Sequence, residues 1–325
     1  MEKDFVIITG GAGFIGSHMA KWYCENDYGV VVIDNLFRGS LDNIRSLIEN
    51  HDLVFENHDL ADYNSIQAIS EIIEKYKPIQ VLHYAAINGT QYFYDKPQQV
   101  VEVNSIATLY LLKALRKAKN NINNIHPLIL FASTSENYCE PFNVPTKETD
   151  LTYFRIEQNR DSYAVAKMAS EFYVKLYCEE LELDWVVLRI FNVYGPKMVG
   201  TKYGQVIPEF VQRVKNGEYP LKIFGNGKHT RSFIHIDDHV ELTTRLIFSK
   251  NLTKNTVYNL GNDYEISILE VGKIVMALLG KAPKFEFLEE REGDHLRRSP
   301  DLTKLFSIIG EFEFIGLKEG ISTMI

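Results

Sequence analysis

The segment Thr9-Gly10-Gly11-Ala12-Gly13-Phe14-Ile15-Gly16 constrains the fold more than any other stretch of this 325-residue chain. It joins an apolar run, Phe5–Thr9, to an amphipathic run, Phe14–Asn26. Glycines at G-x-x-G-x-x-G spacing let the backbone turn sharply from strand to helix. They also let phosphate oxygens reach the N–H groups at the helix N-terminus. The last glycine lets that helix lie close on its strand. A structural glycine turn is the competing reading. Either way, the turn belongs in a strand–helix–strand unit.

The rest of the first 190 or so residues supplies such units. Apolar runs are expected as strands at Val30–Asp34, Leu53–Glu56, Ile79–Tyr84, Pro127–Ser133 and Trp185–Phe191. Helical periodicity is expected over Ala61–Tyr76, Pro97–Lys119 and Tyr163–Glu180. Continuous apolar strands alternating with amphipathic helices predict a parallel sheet covered on both faces, a doubly wound α/β fold. After about Asn192, glycine and proline punctuate shorter elements, with helices expected at Asp237–Phe248 and Ser267–Leu279. The expected division is 1–191 for the cofactor-binding body and 192–325 mainly for a smaller, dependent substrate lobe. The helix expected from Leu317 is short, so that lobe is expected to be trimmed or atypical.

Composition narrows the partners. Forty-five per cent hydrophobic residues suffice for a sizeable core. A net charge of −8 points away from nucleic acid and anionic membranes. Three widely spaced cysteines, Cys24, Cys139 and Cys178, fit a reducing cytoplasm and no disulfide framework. No signal peptide is expected, and no apolar run reaches the roughly 18–20 residues of a membrane helix.

Three further features carry chemistry. Asp34 closes the second run, where a carboxylate accepts from ribose hydroxyls and repels a 2′-phosphate, favouring NAD over NADP. Arg38 works against that preference. Tyr163 and Lys167 stand at i and i+4, on one helix face. An ammonium there stabilises a phenolate that can take a proton from a sugar hydroxyl. A helix with a surface lysine has the same spacing, so the pair gains meaning only from its company. Ser133-Thr134-Ser135-Glu136-Asn137-Tyr138 ends the fifth strand; if extended, it points Thr134 and Glu136 to one side. Turn chemistry is the plainer reading. His235, Asp237, Asp238 and His239 have near metal-ligand spacing, but Asp237 or Asp238 as a helix cap explains them better, and no metal is expected. Cys139 reads as a packing residue before a reactive thiol.

In this order and position, Thr9–Gly16, Asp34, Thr134 and Tyr163/Lys167 resemble the extended short-chain dehydrogenase/reductase superfamily, in its nucleotide-sugar epimerase and dehydratase branch. The resemblance spans nearly the whole chain. It implies a Rossmann-like doubly wound parallel sheet with a smaller C-terminal α/β substrate lobe, retained NAD, a nucleotide-diphosphate sugar substrate and a homodimer. The dimer would form through Pro97–Lys119 and Tyr163–Glu180, using Leu109, Leu112, Leu115, Phe172 and Val174, which serve equally well as core. The implied cofactor residues are Gly10, Gly13, Phe14, Ile15, Gly16, Asp34, Asn35, Asp59, Leu60, Ala85, Ala86, Asn104, Tyr163 and Lys167. Asn88, Thr90, Asn192, Val206, Arg231 and Arg291 are implied for the substrate, with Arg231 and Arg291 on its diphosphate. Thr134, Ser135, Glu136, Tyr163 and Lys167 are implied as catalytic.

The family oxidises a sugar hydroxyl, usually at C4, and then carries out a second step. Ser135-Glu136 resembles GDP-mannose 4,6-dehydratases and UDP-glucuronate decarboxylases. The expectation puts 4,6-dehydration first, with Glu136 removing the C5 proton. The alternatives are epimerisation at C4, epimerisation at C3 or C5 with Lys202 as a proton donor, and decarboxylation of a UDP-glucuronate-type substrate. A non-catalytic NAD-binding sensor stands last. Asn137 and Cys139 depart from the family pattern, which has a hydrophobic residue and a glycine there. Ile87–Tyr94 is distinctive and lies where the family approaches the hexose.

Overall fold

The computed structural model describes residues 3–198, 200, 205–291 and 293–325. Seven strands form one parallel sheet: β1 (Phe5–Thr9), β2 (Gly29–Ile33), β3 (Leu53–Glu56), β4 (Gln80–His83), β5 (Leu128–Thr134), β6 (Trp185–Ile190) and β7 (Thr256–Leu260). Their spatial order is β3-β2-β1-β4-β5-β6-β7. β1 therefore lies between β2 and β4, at the switch point where a doubly wound sheet opens a crevice. Every residue of β2 is buried, because helices cover both faces of the sheet. One face packs on α1 (Phe14–Glu25) and a later helix, Ile236–Ile247. The other packs on helices Ser65–Tyr76, Pro97–Asn121 and Ser162–Leu181.

The expected helices and strands agree with the structure to within a few residues at their ends. The chain after Asn192 does not all go to the smaller lobe. Ile236–Ile247 and β7 return to the large sheet, β7 pairing with β6 in parallel. The lobe proper is built on strands Leu221–Phe224 with Phe285–Leu288, and on Thr230–Ser232 flanked by Glu265–Ser267 and Arg297–Arg298. The last helix, Leu317–Ser322, is short.

Of the residues offered for a dimer contact, Leu112, Leu115 and Val174 are buried within this chain, because they face the sheet. Phe172 is 60 % exposed. Val165 and Leu176 are exposed on the same helix. Among the described residues no helix is long and apolar enough to cross a membrane.

Candidate active site

The site begins at the β1 turn. Gly10 has φ +71°, and a Cβ there would lie 2.6 Å from the Ala85 nitrogen. The turn after β1 and the loop after β4 can touch only because Gly10 has no side chain. His83 braces the two strands: Nδ1 stands 2.6 Å from Thr9 Oγ1 and Nε2 3.0 Å from Thr108 Oγ1. Burial, then Lys167, pushes its imidazole down to about 3, so it is a neutral strut. Asp34 Oδ2 accepts from the Ala12 N–H at 3.0 Å and Oδ1 from the Leu36 N–H at 2.8 Å. Its carboxylate is thus fixed beside the glycine turn.

A cavity of about 660 Å³ runs from this turn along the C-terminal edge of the sheet. Gly10, Gly13, Phe14, Ile15, Gly16, Asp34, Asn35, Asp59, Leu60, Ala85 and Ala86 line one part of it. Asn88, Thr90, Thr134, Ser135, Glu136, Tyr163, Lys167 and Asn192 line the rest. A glycine turn that opens a helix N-terminus, with a fixed carboxylate beside it, fits an extended dinucleotide. Arg38 also reaches the rim, with its guanidinium 5.4 Å from the Tyr92 ring centroid.

Four expected contacts lie off this wall. Asn104 holds the Ile87 backbone at both ends, accepting from N–H at 2.8 Å and donating to C=O at 3.0 Å. It positions the loop and does not line the cavity. Val206 opens helix Val206–Lys215 and packs on the lobe's core, while Gln205 lines the cavity. Arg231 is buried against Thr230 O and Asp294 Oδ1, at 2.8 and 3.0 Å. Arg291 lies over the Phe224 ring, 4.0 Å from its centroid. Lys202 lies outside the described residues.

Tyr163 and Lys167 do share a face. The Lys167 Nζ donates to Ala132 O at 2.9 Å and stands 5.8 Å from the Tyr163 ring centroid. Burial pushes Lys167 down to about 7, opposed by Glu171 one turn later. Burial, then the Glu136 charge, pushes the Tyr163 phenol above its usual value.

The segment after Thr134 is not extended. Ser135–Tyr138 is a 3₁₀ turn, capped by Thr134, whose Oγ1 accepts from the Glu136 N–H at 3.1 Å. The same loop explains both departures from the family pattern. The Asn137 amide donates to Glu171 Oε1 at 2.7 Å and to Ser133 Oγ at 3.1 Å. Glu171 in turn pairs with Arg189 at 2.8 Å. Cys139 has φ +49°, where a glycine is unstrained. Its thiol is fully buried and pushed by burial up to about 12, which suits packing and not reactivity.

Sequence reasoning missed what surrounds Glu136. Arg298 donates to Oε1 at 2.6 Å and to Oε2 at 3.1 Å. Arg160 donates to Oε1 at 3.0 Å and has Nη1 2.8 Å from Oε2. His295 Nε2 is 3.8 Å away. Burial alone would raise this carboxyl; Arg160, Arg298 and His295 outweigh it and hold it well below the usual range. Phe93 was also missed, although it lies in the distinctive Ile87–Tyr94 segment. Its ring stacks on Tyr163.

His235, and neither aspartate, caps helix Ile236–Ile247, its Nδ1 accepting from the Asp237 N–H at 3.3 Å. Asp238 instead accepts from the Ile315 N–H at 3.0 Å. Among the described residues no three His, Cys, Asp or Glu side chains converge as a metal site would require.

Known proteins share this architecture. A family model described as GDP-mannose 4,6 dehydratase matches residues 7–310. The UDP-N-acetyl-alpha-D-glucosaminuronate decarboxylase of Bacillus cytotoxicus is 31% identical over 309 residues, 93% of this chain and 91% of that one. The solved UDP-glucose 4-epimerase of Thermotoga maritima, bound to UDP-glucose, superposes with a TM-score of 0.84 at 29% identity, covering 98% and 97% of the two chains. The Thermus thermophilus UDP-glucose 4-epimerase in complex with NAD gives 0.82 at 28% identity, with the same coverage. The chain therefore belongs to the short-chain dehydrogenase/reductase family of NAD-dependent nucleotide-sugar epimerases and dehydratases, and it is an enzyme that modifies a nucleotide-linked sugar.

Proposed function

We propose that the enzyme decarboxylates a nucleotide-linked hexuronate through a C4 ketone. The observation that supports this reading is the pair of guanidiniums on Glu136. The candidate second steps all start from a C4 ketone, and they differ in the group at C6 and in what they ask of Glu136. Dehydration across C5 and C6, the reading the sequence puts first, needs a base for the C5 proton. A carboxylate shared by two arginines is a poor one. Decarboxylation needs no base: the C5–C6 bond breaks and its electron pair moves onto the C4 carbonyl as carbon dioxide leaves. The relative with 31% identity is named for a reaction of this class.

In this reading Gly10, Gly13, Phe14, Ile15 and Gly16 face the NAD pyrophosphate, Asp34 and Asn35 a ribose, and Asp59 and Leu60 the adenine. Bound NAD supplies the acceptor and later the donor of the C4 hydride. Tyr163 takes the C4 hydroxyl proton, and Thr134 holds that oxygen. Tyr163 needs a nearby positive charge, because burial opposes its ionisation. The protonated Lys167 is that charge. Asn88, Thr90 and Asn192 bound the space for the sugar.

Simple C4 epimerisation is the second reading, supported by the match to solved epimerases over almost the full length of both chains. Incubation with UDP-glucuronate, UDP-N-acetylglucosaminuronate, UDP-glucose, dTDP-glucose and GDP-mannose decides by mass spectrometry. Loss of carbon dioxide supports the proposal. Loss of water, or a new isomer of unchanged mass as the sole product, overturns it.

The exposed stripe Val165, Phe172 and Leu176 supports a homodimer through helices Pro97–Asn121 and Ser162–Leu181. Light scattering after size exclusion tests it. Three unpaired, buried cysteines support a reducing compartment, the cytoplasm.

A further inference from the structure

Arg160 lies three residues before Tyr163, in the turn Asn159–Asp161, and is 3 % exposed. Its guanidinium is fixed on two sides. The Phe93 ring lies 5.1 Å away on one, and that ring stacks on Tyr163. The Glu136 carboxylate lies on the other. Arg298, 1 % exposed, reaches the same carboxylate from the strand Arg297–Arg298. Both Glu136 oxygens are thus shared between two buried cations.

The other groups facing Glu136 do not offset them. Burial, then Arg298, lowers the His295 imidazole, and its Nδ1 stands 3.6 Å from Glu140. Arg231 adds positive charge and is paired with Asp294. Burial pushes Tyr94, Cys139 and Tyr163 up, so none of them adds positive charge. Abstraction at C5 would break the C5–H bond, move its electron pair toward the C4 ketone and leave the proton on a Glu136 oxygen. That oxygen already accepts from guanidinium N–H groups.

We propose that Arg160 is a selectivity-determining positioning residue: with Arg298 it occupies the Glu136 carboxylate, closes the C5-deprotonation route and leaves the ketosugar to lose its carboxyl group. The proposal rests on the hexuronate reading above.

The test uses NAD-loaded protein and the variants Arg160→Met and Arg160→Lys. Infrared difference titration of Glu136, with Glu136→Gln as the blank, needs no substrate. Arg160→Met should raise the Glu136 midpoint by about 1–3 pH units, the usual effect of losing one adjacent opposite charge. Arg160→Lys should restore most of it. In deuterated water, with whichever hexuronate nucleotide the wild type turns over, Arg160→Met should raise deuterium at C5 of recovered substrate by about tenfold or more. If Arg160→Met does not fold, Arg160→Gln replaces it and should shift the midpoint in the same direction. A midpoint unmoved in the neutral variant, or unchanged C5 exchange, overturns the assignment and leaves Arg160 as wall structure. A wild type that decarboxylates no hexuronate overturns the functional reading instead, whatever the midpoint does.

Discussion

The ring of Phe93 lies nearly parallel to that of Tyr163, with 5.0 Å between centroids and 10° between planes. Phe93 is 1 % exposed and belongs with Ile87, Val100 and Tyr163 to a small apolar cluster in the wall of the site. The stack sets the plane of the phenol and keeps water off one face. Phe93→Leu keeps most of the volume and loses the stack, worth about 0.5–1.5 kcal/mol. We expect kcat to fall about ten- to hundredfold. KM for the sugar nucleotide should stay within a factor of about three. Steady-state kinetics checks both, and an unchanged kcat would show that the stack does not orient Tyr163.

Glu136→Gln should cost about 3–5 kcal/mol of stability at neutral pH, because it leaves two buried guanidiniums facing an amide. The sign of the pH dependence follows from the depressed folded-state value. The charge contributes fully above the unfolded value of 4.5 and is lost as pH falls below it. Urea unfolding of wild type and variant should therefore converge in acid. A gap constant from neutral pH into acid would contradict the clamp.

Lys167 gives a slope of the same sign in a higher pH window. Its folded value is lowered to about 7 from 10.5, so the unfolded chain binds more protons between those values. Stability should rise with pH across that window, and Lys167→Met should abolish this part of the slope. Loss of the bond to Ala132 O adds a penalty independent of pH. Denaturation of both proteins from neutral to alkaline pH separates the two effects.

Asp34→Ala removes the acceptor at the glycine turn and strands two N–H groups, those of Ala12 and Leu36. NAD affinity should fall about ten- to hundredfold, as expected for loss of hydrogen bonds to a charged group. NADP should bind relatively better, with Arg38 on the same rim. Fluorescence titration with both dinucleotides measures the ratio. A preserved ratio would remove Asp34 as the discriminator.

The three cysteines should not react with an aromatic disulfide reagent while the protein is folded. Cys24, Cys139 and Cys178 are buried, and burial pushes their thiols up to about 11, 12 and 12. All three should appear together on unfolding. A thiol that titrates rapidly in the native protein would contradict this.

The glycine turn, Asp34 and the Tyr163–Lys167 spacing were legible in the sequence because their geometry is local. A strand–turn–helix unit places Gly10–Gly16, and one helical turn joins Tyr163 to Lys167. Alternating apolar runs likewise dictated the parallel sheet through β6. The role open to Glu136 was not legible. The residues that limit it come from 24 and 162 positions further along the chain. No periodicity links them, and only the folding of the lobe against the sheet brings Arg298 to the end of β5. The same holds for Phe93 on Tyr163 and for β7 beside β6: tertiary packing makes these contacts. The sequence determined a glycine turn between strand and helix and a Tyr–Lys pair one helical turn apart. The tertiary structure decided that the carboxylate beside that pair is held between two arginines, whose close opposite charge outweighs burial and suppresses its basicity.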